Sequence, residues 1–419
     1  MAQAQAHSGP MVTADGVPLK TSLRRAERRR KITAFMLVVP LLAFILLTFI
    51  APIGDMLWRS VDNPAIINTL PNTVTALEDW DGEELPPEEA FAAMVEDLRV
   101  GQENRSIGQV GIRLNYEMSG ARSLFSRTAR NADSLEPPYK EALLDAHRRW
   151  GDVETWRLIK REGRPYTASY YLSAVDMRYA DDGSVAMQPE NQRIYVALFM
   201  RTLALSLAIT VLTLLLGFPI AYLLATLPLR YSNLLMIMVL LPFWTSLLVR
   251  TTAWIVLLQQ QGVINDLLVA VGLIGDDGRL TMMHNWIGTI VAMTHILLPF
   301  MVLPLYSVMK TIPPSYQRAA RSLGANPFVA FVRVYLPQTV SGIGAGAILV
   351  FIISIGYYIT PALVGGQSGQ LISNLIADHM QRTLNWGLAA ALGSILLGGV
   401  LILYWLYNRI VGIDNMKLG

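Results

Sequence analysis

The sequence predicts an all-α membrane protein of six transmembrane helices with an enlarged polar insertion between the first two. Composition is the first reason. The 419 residues are 53% hydrophobic and only 16% charged, whereas soluble domains carry about 25% charged residues. The second reason is a set of long uncharged stretches, and the third is one polar block near residues 58–193 that holds much of the charge. The net charge of +3 matters less than where its members sit. There is no cysteine, which excludes disulfides, thiol nucleophiles and cysteine metal sites. This suits a bacterial protein with a sizeable extracytoplasmic part.

A bilayer core requires about 20 apolar residues in a helix, each rising about 1.5 Å. Six stretches meet that length: Ile32 to Ile53, Tyr195 to Leu227, Leu234 to Leu258, Trp286 to Val308, Val340 to Ile359, and Gly387 to Tyr407. The basic start from Arg24 to Lys31 would also suit a signal peptide. The apolar run of 22 residues exceeds a signal h-region, however, and no small-x-small cleavage site follows it. An uncleaved span is expected.

Orientation follows from Lys and Arg in the short loops. The leading segment carries Lys20, Arg24, Arg25, Arg28, Arg29, Arg30 and Lys31, and the loop between spans four and five carries Lys310, Arg318, Arg321 and Arg333 with no acid. The opposing short loops hold only Arg279 and Arg382. Both termini are therefore expected in the cytoplasm. The chain divides into a cytoplasmic tail 1–31, a first transmembrane helix 32–57, a periplasmic insertion 58–193, a five-helix core 194–411 and a cytoplasmic tail 412–419. Residues 1–22 are expected to be disordered.

The insertion is rich in Glu, Asp and Arg, with helix-like amphipathic patches at Glu88 to Leu98 and Tyr139 to Leu158. Its length and its aromatics, Trp150, Trp156, Tyr166, Tyr170 and Tyr171, predict a folded domain; a disordered tether is the alternative. No internal repeat or low-complexity tract is present.

The most informative segment is Lys310-Thr-Ile-Pro-Pro-Ser-Tyr-Gln-Arg-Ala-Ala-Arg-Ser-Leu-Gly-Ala-Asn-Pro-Phe328. Pro313 and Pro314 can open a short helix. Gly324 can close it in the left-handed conformation. Asn326 can cap a second helix with Pro327 at its first position, ending near Leu336 and Pro337 where span five begins. Ala319 and Ala320 leave one face thin enough for another backbone to approach. Such a cationic hairpin suits either docking to a partner or resting on anionic lipid headgroups.

This stretch resembles the cytoplasmic signature of the permease subunits of ATP-binding-cassette importers: Glu-Ala-Ala, three residues, Gly, nine residues, Ile-x-Leu-Pro. Ala319, Ala320, Gly324, Val334, Leu336 and Pro337 fall on it without a gap. Arg318 departs from it, standing where the family has Glu. The resemblance implies the type I importer permease fold, with residues 311–337 as the coupling hairpin that sits in a groove of a separate ATPase subunit. Arg318, Ala319, Ala320, Gly324, Leu336 and Pro337 are then the coupling residues. Within the family, Leu241-Pro-Phe-Trp-Thr-Ser-Leu-Leu-Val-Arg-Thr-Thr-Ala-Trp254, Gly262-Val-Ile-Asn265 and Tyr357-Tyr-Ile-Thr-Pro-Ala-Leu-Val-Gly-Gly366 resemble the spermidine/putrescine branch. The likeness covers residues 195–411 and leaves the insertion's role unassigned.

The resemblance further implies a second permease subunit, expected to be a different chain, a periplasmic solute-binding protein and membrane lipid as partners, with no nucleic acid. The chain lacks Gly-x-x-x-x-Gly-Lys-Ser/Thr, so it has no phosphate loop of its own, and no enzyme activity, cofactor or metal is expected. Gly365-Gly366-Gln367 superficially looks like an ATPase signature but is expected to be a turn after span five. No carboxylate lies in an expected span core, which counts against an ion-coupled secondary transporter; a channel would not need the hairpin.

Two ionisable residues lie at membrane depth: Arg250, a gate contact or a snorkelling anchor, and His295, a pathway group or an internally satisfied histidine. Pro242, Pro299 and Pro304 are expected to bend helices around a cavity or at packing kinks. Gly342 and Gly346 have the spacing for close helix contact. Aromatic faces can hold a polyamine by cation–π attraction, so Trp244, Trp254, Tyr357 and Tyr358 are candidate translocation residues, with Arg250 added as a gate contact. Another small organic solute is the alternative substrate.

Overall fold

The computed structural model describes residues 19–180 and 183–411, and the side chains of 23–180 and 183–409. The tail 412–419 and most of the segment 1–22 expected to be disordered lie outside the described residues. The chain separates into two units, residues 1–58 and 59–419. The first unit is a helix, Leu19–Ile45, continued by a π turn at Leu46–Ile50 and by Ala51–Arg59. It starts before the expected apolar boundary because Leu23 to Lys31 contains no glycine or proline and is rich in Arg, Lys and Glu, all good helix formers. Leu23–Arg59 is one of six helices among the described residues long and apolar enough to cross a membrane.

In the second unit, short helices come first. Glu88–Glu103, Ile107–Asn115, Ala121–Arg130, Tyr139–Ala146 and Val153–Glu162 surround a core of Trp150, Trp156, Phe91, Phe125 and Leu98. The expected helical patch Tyr139 to Leu158 is two helices, not one. His147 Nδ1 accepts from the Arg149 N–H at 3.2 Å, and the intervening turn drives Trp150 into the core. Its indole Nε1 donates to Thr128 Oγ1 at 3.0 Å. Asp97 accepts from the Thr73 N–H and hydroxyl, both at 2.7 Å.

A buried ion cluster fastens the two ends of this region. Arg113 pairs with the fully buried Glu162 and donates to Asn63 Oδ1 at 2.9 Å. Burial pushes the Tyr170 phenol above its ordinary value, partly opposed by the Arg113 guanidinium 4.8 Å from its ring. The only sheet among the described residues pairs Met177–Tyr179 with Val185–Met187.

The remaining candidate spans are Tyr195–Thr226, Leu247–Ala270, Trp286–Thr311, Pro327–Gly356 and Trp386–Arg409. Several expectations about the spans require correction. The third span is not continuous from Leu234 to Leu258: one helix ends at Trp244 and another begins at Leu247. Pro242 supplies no backbone N–H to the turn below it. Thr245 Oγ1 then donates to Pro242 O at 3.0 Å, and the Ser246 hydroxyl caps the next helix by accepting from the Val249 N–H at 3.2 Å. The second helix ends at Leu258, as expected, and a turn at 259–262 leads to Val263–Ala270, whose exposed Asp266 pairs with Arg279 at 2.7 Å.

The second correction concerns Leu336 and Pro337, where a helix was expected to end. The helix continues from Pro327 to Gly356 through a π turn at Phe331–Tyr335. Proline at 337 cannot donate to the carbonyl of residue 333, and the wider turn absorbs that missing bond. Span five ends at Gly356, three residues before the expected Ile359. Pro299 and Pro304 lie inside the unbroken helix Trp286–Thr311.

Span four packs between spans two and five. A β-carbon at Gly342 would lie 3.1 Å from Val308, and one at Gly346 would lie 2.7 Å from Met301 Sδ. The two glycines thus let span five approach span four of the same chain. After span five, Ile359–Val364 and Gly366–Gly369 form short helices where a simple turn was expected.

Candidate functional site

The hairpin between spans four and five is built by local rules. Pro314–Ser322 forms its first helix, which closes through Leu323 N–H to Ala319 O at 3.1 Å and Ala325 N–H to Ala320 O at 3.1 Å. Gly324 takes φ +93°, in the left-handed region favoured by glycine. Asn326 Oδ1 accepts from the Val329 N–H at 2.8 Å and caps the next helix, with Pro327 in its first turn.

The hairpin's surface is both apolar and cationic. Leu323 is 89% exposed and Phe328 75%, with Tyr316, Arg318 and Arg321 also exposed. Ala319 is exposed, Ala320 and Leu336 are half-buried, and Pro337 is exposed. The exit from the hairpin is anchored to span two. Phe331 stacks on Tyr335 at 5.6 Å, and Tyr222 presents itself edge-on to both, at 5.6 and 5.3 Å.

A second constellation lies where the broken third span meets span four and the end of span five. Arg250 Nη2 donates to Thr245 O at 3.0 Å, and its Nε is buried without a hydrogen-bond partner among the described residues. The guanidinium lies within electrostatic reach of His295 and Tyr357. Trp254 Nε1 donates to His295 Nδ1 at 3.2 Å, with the rings 5.3 Å apart and edge to face. That bond requires the unprotonated nitrogen of the imidazole to face the indole.

The backbone at Tyr357 and Tyr358 is held by the helix Ile372–Gln381. Ser373 Oγ donates to Tyr357 O at 2.8 Å and Asn374 Nδ2 to Tyr358 O at 2.7 Å. Trp254 therefore meets His295 directly, and Arg250 lies within electrostatic reach of both His295 and Tyr357. Trp244 is exposed at the end of its helix, and Tyr358 is also exposed, with its carbonyl held by Asn374. Thr251 and Thr360, whose hydroxyls meet at 3.2 Å, were not singled out in the sequence. Polar residues at membrane depth were the signal that could have found them.

Residues 217–411 match the family described as binding-protein-dependent transport system inner membrane component. The spermidine/putrescine transport system permease protein PotB of Haemophilus influenzae is 34% identical over 221 residues, 52% of this chain and 77% of the relative. PotB of Escherichia coli shows the same identity over 80% of its length. The sulfate transport system permease protein CysT of Escherichia coli is 28% identical over 30% of this chain and 47% of its own. A bacterial ABC transporter involved in the import of the acidic polysaccharide alginate matches at 20% identity and a TM-score of 0.41, over 55% of this chain and 82% of that one. The chain belongs to the family of binding-protein-dependent transport system inner membrane components.

Proposed function

We propose that this chain is a permease subunit of an ATP-driven importer that docks separate ATPase subunits on the hairpin 311–337 and passes a polyamine inward. Both termini and the hairpin face the cytoplasm, and residues 58–193 form a periplasmic insertion domain. The observation that carries the docking reading is the hairpin's surface: Leu323 and Phe328 stand almost fully in the open beside Arg318 and Arg321. Large apolar side chains presented together mark an interaction site, and the Asn326 cap and Gly324 closure hold them in a fixed shape.

Gly324→Val tests this reading, because a β-branched residue in the left-handed region costs about 1–2 kcal/mol and reorients the hairpin. Ala320→Arg fills the small-residue face by a different route. Both variants are expected to insert normally, lose co-purification with the ATPase subunit and lose ATP-driven uptake in vesicles. If the hairpin only rests on lipid, Ala320→Arg leaves transport unchanged. Normal association and uptake in both variants would remove the support for coupling.

The polyamine assignment is supported by the similarity to relatives named for spermidine and putrescine and by Trp254 and Tyr357, whose rings can hold an ammonium. Uptake of labelled spermidine by vesicles containing the complete transporter checks it. One observation favours a second reading. Arg250 brings a fixed positive charge to the same cluster, which suits a small organic solute that carries an anionic group. Spermidine failing to drive uptake while a carboxylate-bearing solute succeeds would select that reading.

A further inference from the structure

The small sheet that precedes span two has two unlike faces. Met177 pairs with Met187 and Tyr179 with Val185, while Arg178 pairs with Ala186. Because strand side chains alternate, Met177, Tyr179, Val185 and Met187 share one face, and Arg178 points to the other. The Arg161 guanidinium covers the Tyr179 ring at 5.2 Å. The rest of that face is open: Met177 is 36%, Val185 54% and Met187 57% exposed. Three large apolar side chains in a six-residue sheet are left without a protein cover.

The sheet is also fastened to the start of a span. Asp176, immediately before the first strand, accepts from the N–H groups of Ile194, Tyr195 and Val196 at 3.0, 2.9 and 2.9 Å. A carboxylate on three free N–H groups at a helix N-terminus is a strong local tie. Gln188, next to Met187, donates its N–H to Asp176 O at 2.9 Å and accepts from Arg193 Nε at 2.5 Å. Sheet and first turn thus form one hydrogen-bonded unit. From that turn the span carries an exposed apolar stripe of Val196, Met200, Leu203 and Leu207, spaced along one helix face.

We propose that the Met177, Val185 and Met187 face is a membrane-interface anchor, seated in the hydrocarbon edge of the leaflet from which span two enters. The occupant is lipid because the sheet that carries the open face is hydrogen-bonded to the first turn of a span with an exposed apolar stripe, and because the exposed Arg193 at the junction suits a headgroup phosphate. Arg178, on the opposite face, stays in water. The sheet then fixes the depth of span two and the distance of the preceding domain from the membrane.

The absence of cysteine makes the test direct. Single replacements Val185→Cys, Met187→Cys and Arg178→Cys are spin-labelled in the complete transporter, reconstituted in phosphatidylethanolamine/phosphatidylglycerol vesicles. Labels at 185 and 187 are expected to collide several-fold more with oxygen relative to a water-soluble nickel chelate than the label at 178. Equal nickel access at 187 and 178 would overturn the anchor, and shielding of 187 from both reagents would assign the face to a protein partner instead. A photoactivatable phospholipid with its reactive group in the acyl chain tests the unaltered protein. Adducts within residues 185–187 are expected, and their absence, with labelling of Met200 or Leu203 present, would also overturn it.

Discussion

The helical region 64–162 and the helices from Tyr195 onward solve the same problem in different solvents. The first buries its largest side chains completely, Trp150, Trp156, Phe91 and Phe125 among them. The rings pack against one another, with Phe91 and Trp156 centroids 4.6 Å apart. The spans do the reverse. They leave Met200, Leu207, Leu215 and Leu401 exposed, and they bring glycines such as Gly342 and Gly346 to the contact with span four. In water, removing apolar area is the main driving force. In lipid the surroundings are as apolar as leucine, so close packing by small residues takes over. Ionic groups follow the same division. The first region carries the buried Arg113–Glu162 pair, whereas Arg250 sits at the broken end of a span bonded to a backbone carbonyl.

The comparison is broken most severely by truncating an aromatic residue of the water-side core. Trp156→Ala is expected to cost about 3–5 kcal/mol, the usual range for deleting a buried ring. Hydrogen exchange of the full chain should quicken across Glu88–Glu103 and Ala121–Arg130 while Trp286–Thr311 stays slow. Exchange unchanged in the first two helices would contradict a core held by these rings.

A smaller effect is expected where small residues do the packing. Gly346→Leu places a side chain into Met301, and overpacking of this kind costs about 1–3 kcal/mol. Chemical denaturation in detergent should show the loss, with the water-side region protected as before. Gly398, where a β-carbon would meet nothing within 4 Å, is the control: Gly398→Leu should be close to neutral. Equal losses at both positions would mean that span packing is not set by these close approaches.

The smallest effect is a pH dependence where the two regions meet, at the Tyr116 hydroxyl that donates to Thr383 O at 3.4 Å. His379 Nε2 lies 3.2 Å from the Tyr195 hydroxyl and Nδ1 3.0 Å from Thr383 Oγ1. Burial holds its pKa below the ordinary value, only partly opposed by the Asp378 carboxylate. The unfolded chain therefore binds the proton more readily, at about pH 6.5. The neutral form's contribution is complete above that value and is lost as pH falls from there through the folded pKa. A melting temperature that drops over this interval in the parent and stays flatter in His379→Gln is the expected result. Parallel profiles would remove His379 from the account.

Much of this protein is legible in its residues because the causes are local. A run such as Trp286 to Thr311 is long and apolar enough to be a span in any fold. Gly324 and Asn326 announce a helix stop and a helix start through backbone preferences that act within a few residues. The motif from Ala319 to Pro337 carries the family for the same reason.

Other features escape hydropathy, either because side-chain bonds interrupt an apolar run or because distant segments meet. Hydropathy alone reads Leu234 to Leu258 as one helix. The break at Thr245 depends on a proline, a hydroxyl cap and the reach of Arg250 back to a carbonyl. The Leu-Pro at 336–337 reads as a boundary, yet a π turn braced by Tyr222 of another span carries the helix through it. Arg250, Trp254, His295 and Tyr357 come from three separate stretches, and no spacing rule links them. Composition and local backbone preference act over one or two turns, so they determine which segments enter the membrane and where helices start. Which side chains face one another across the helices is set by contacts between residues as far apart as Asp176 and Tyr195, or Trp254 and His295, and those exist only in the folded chain.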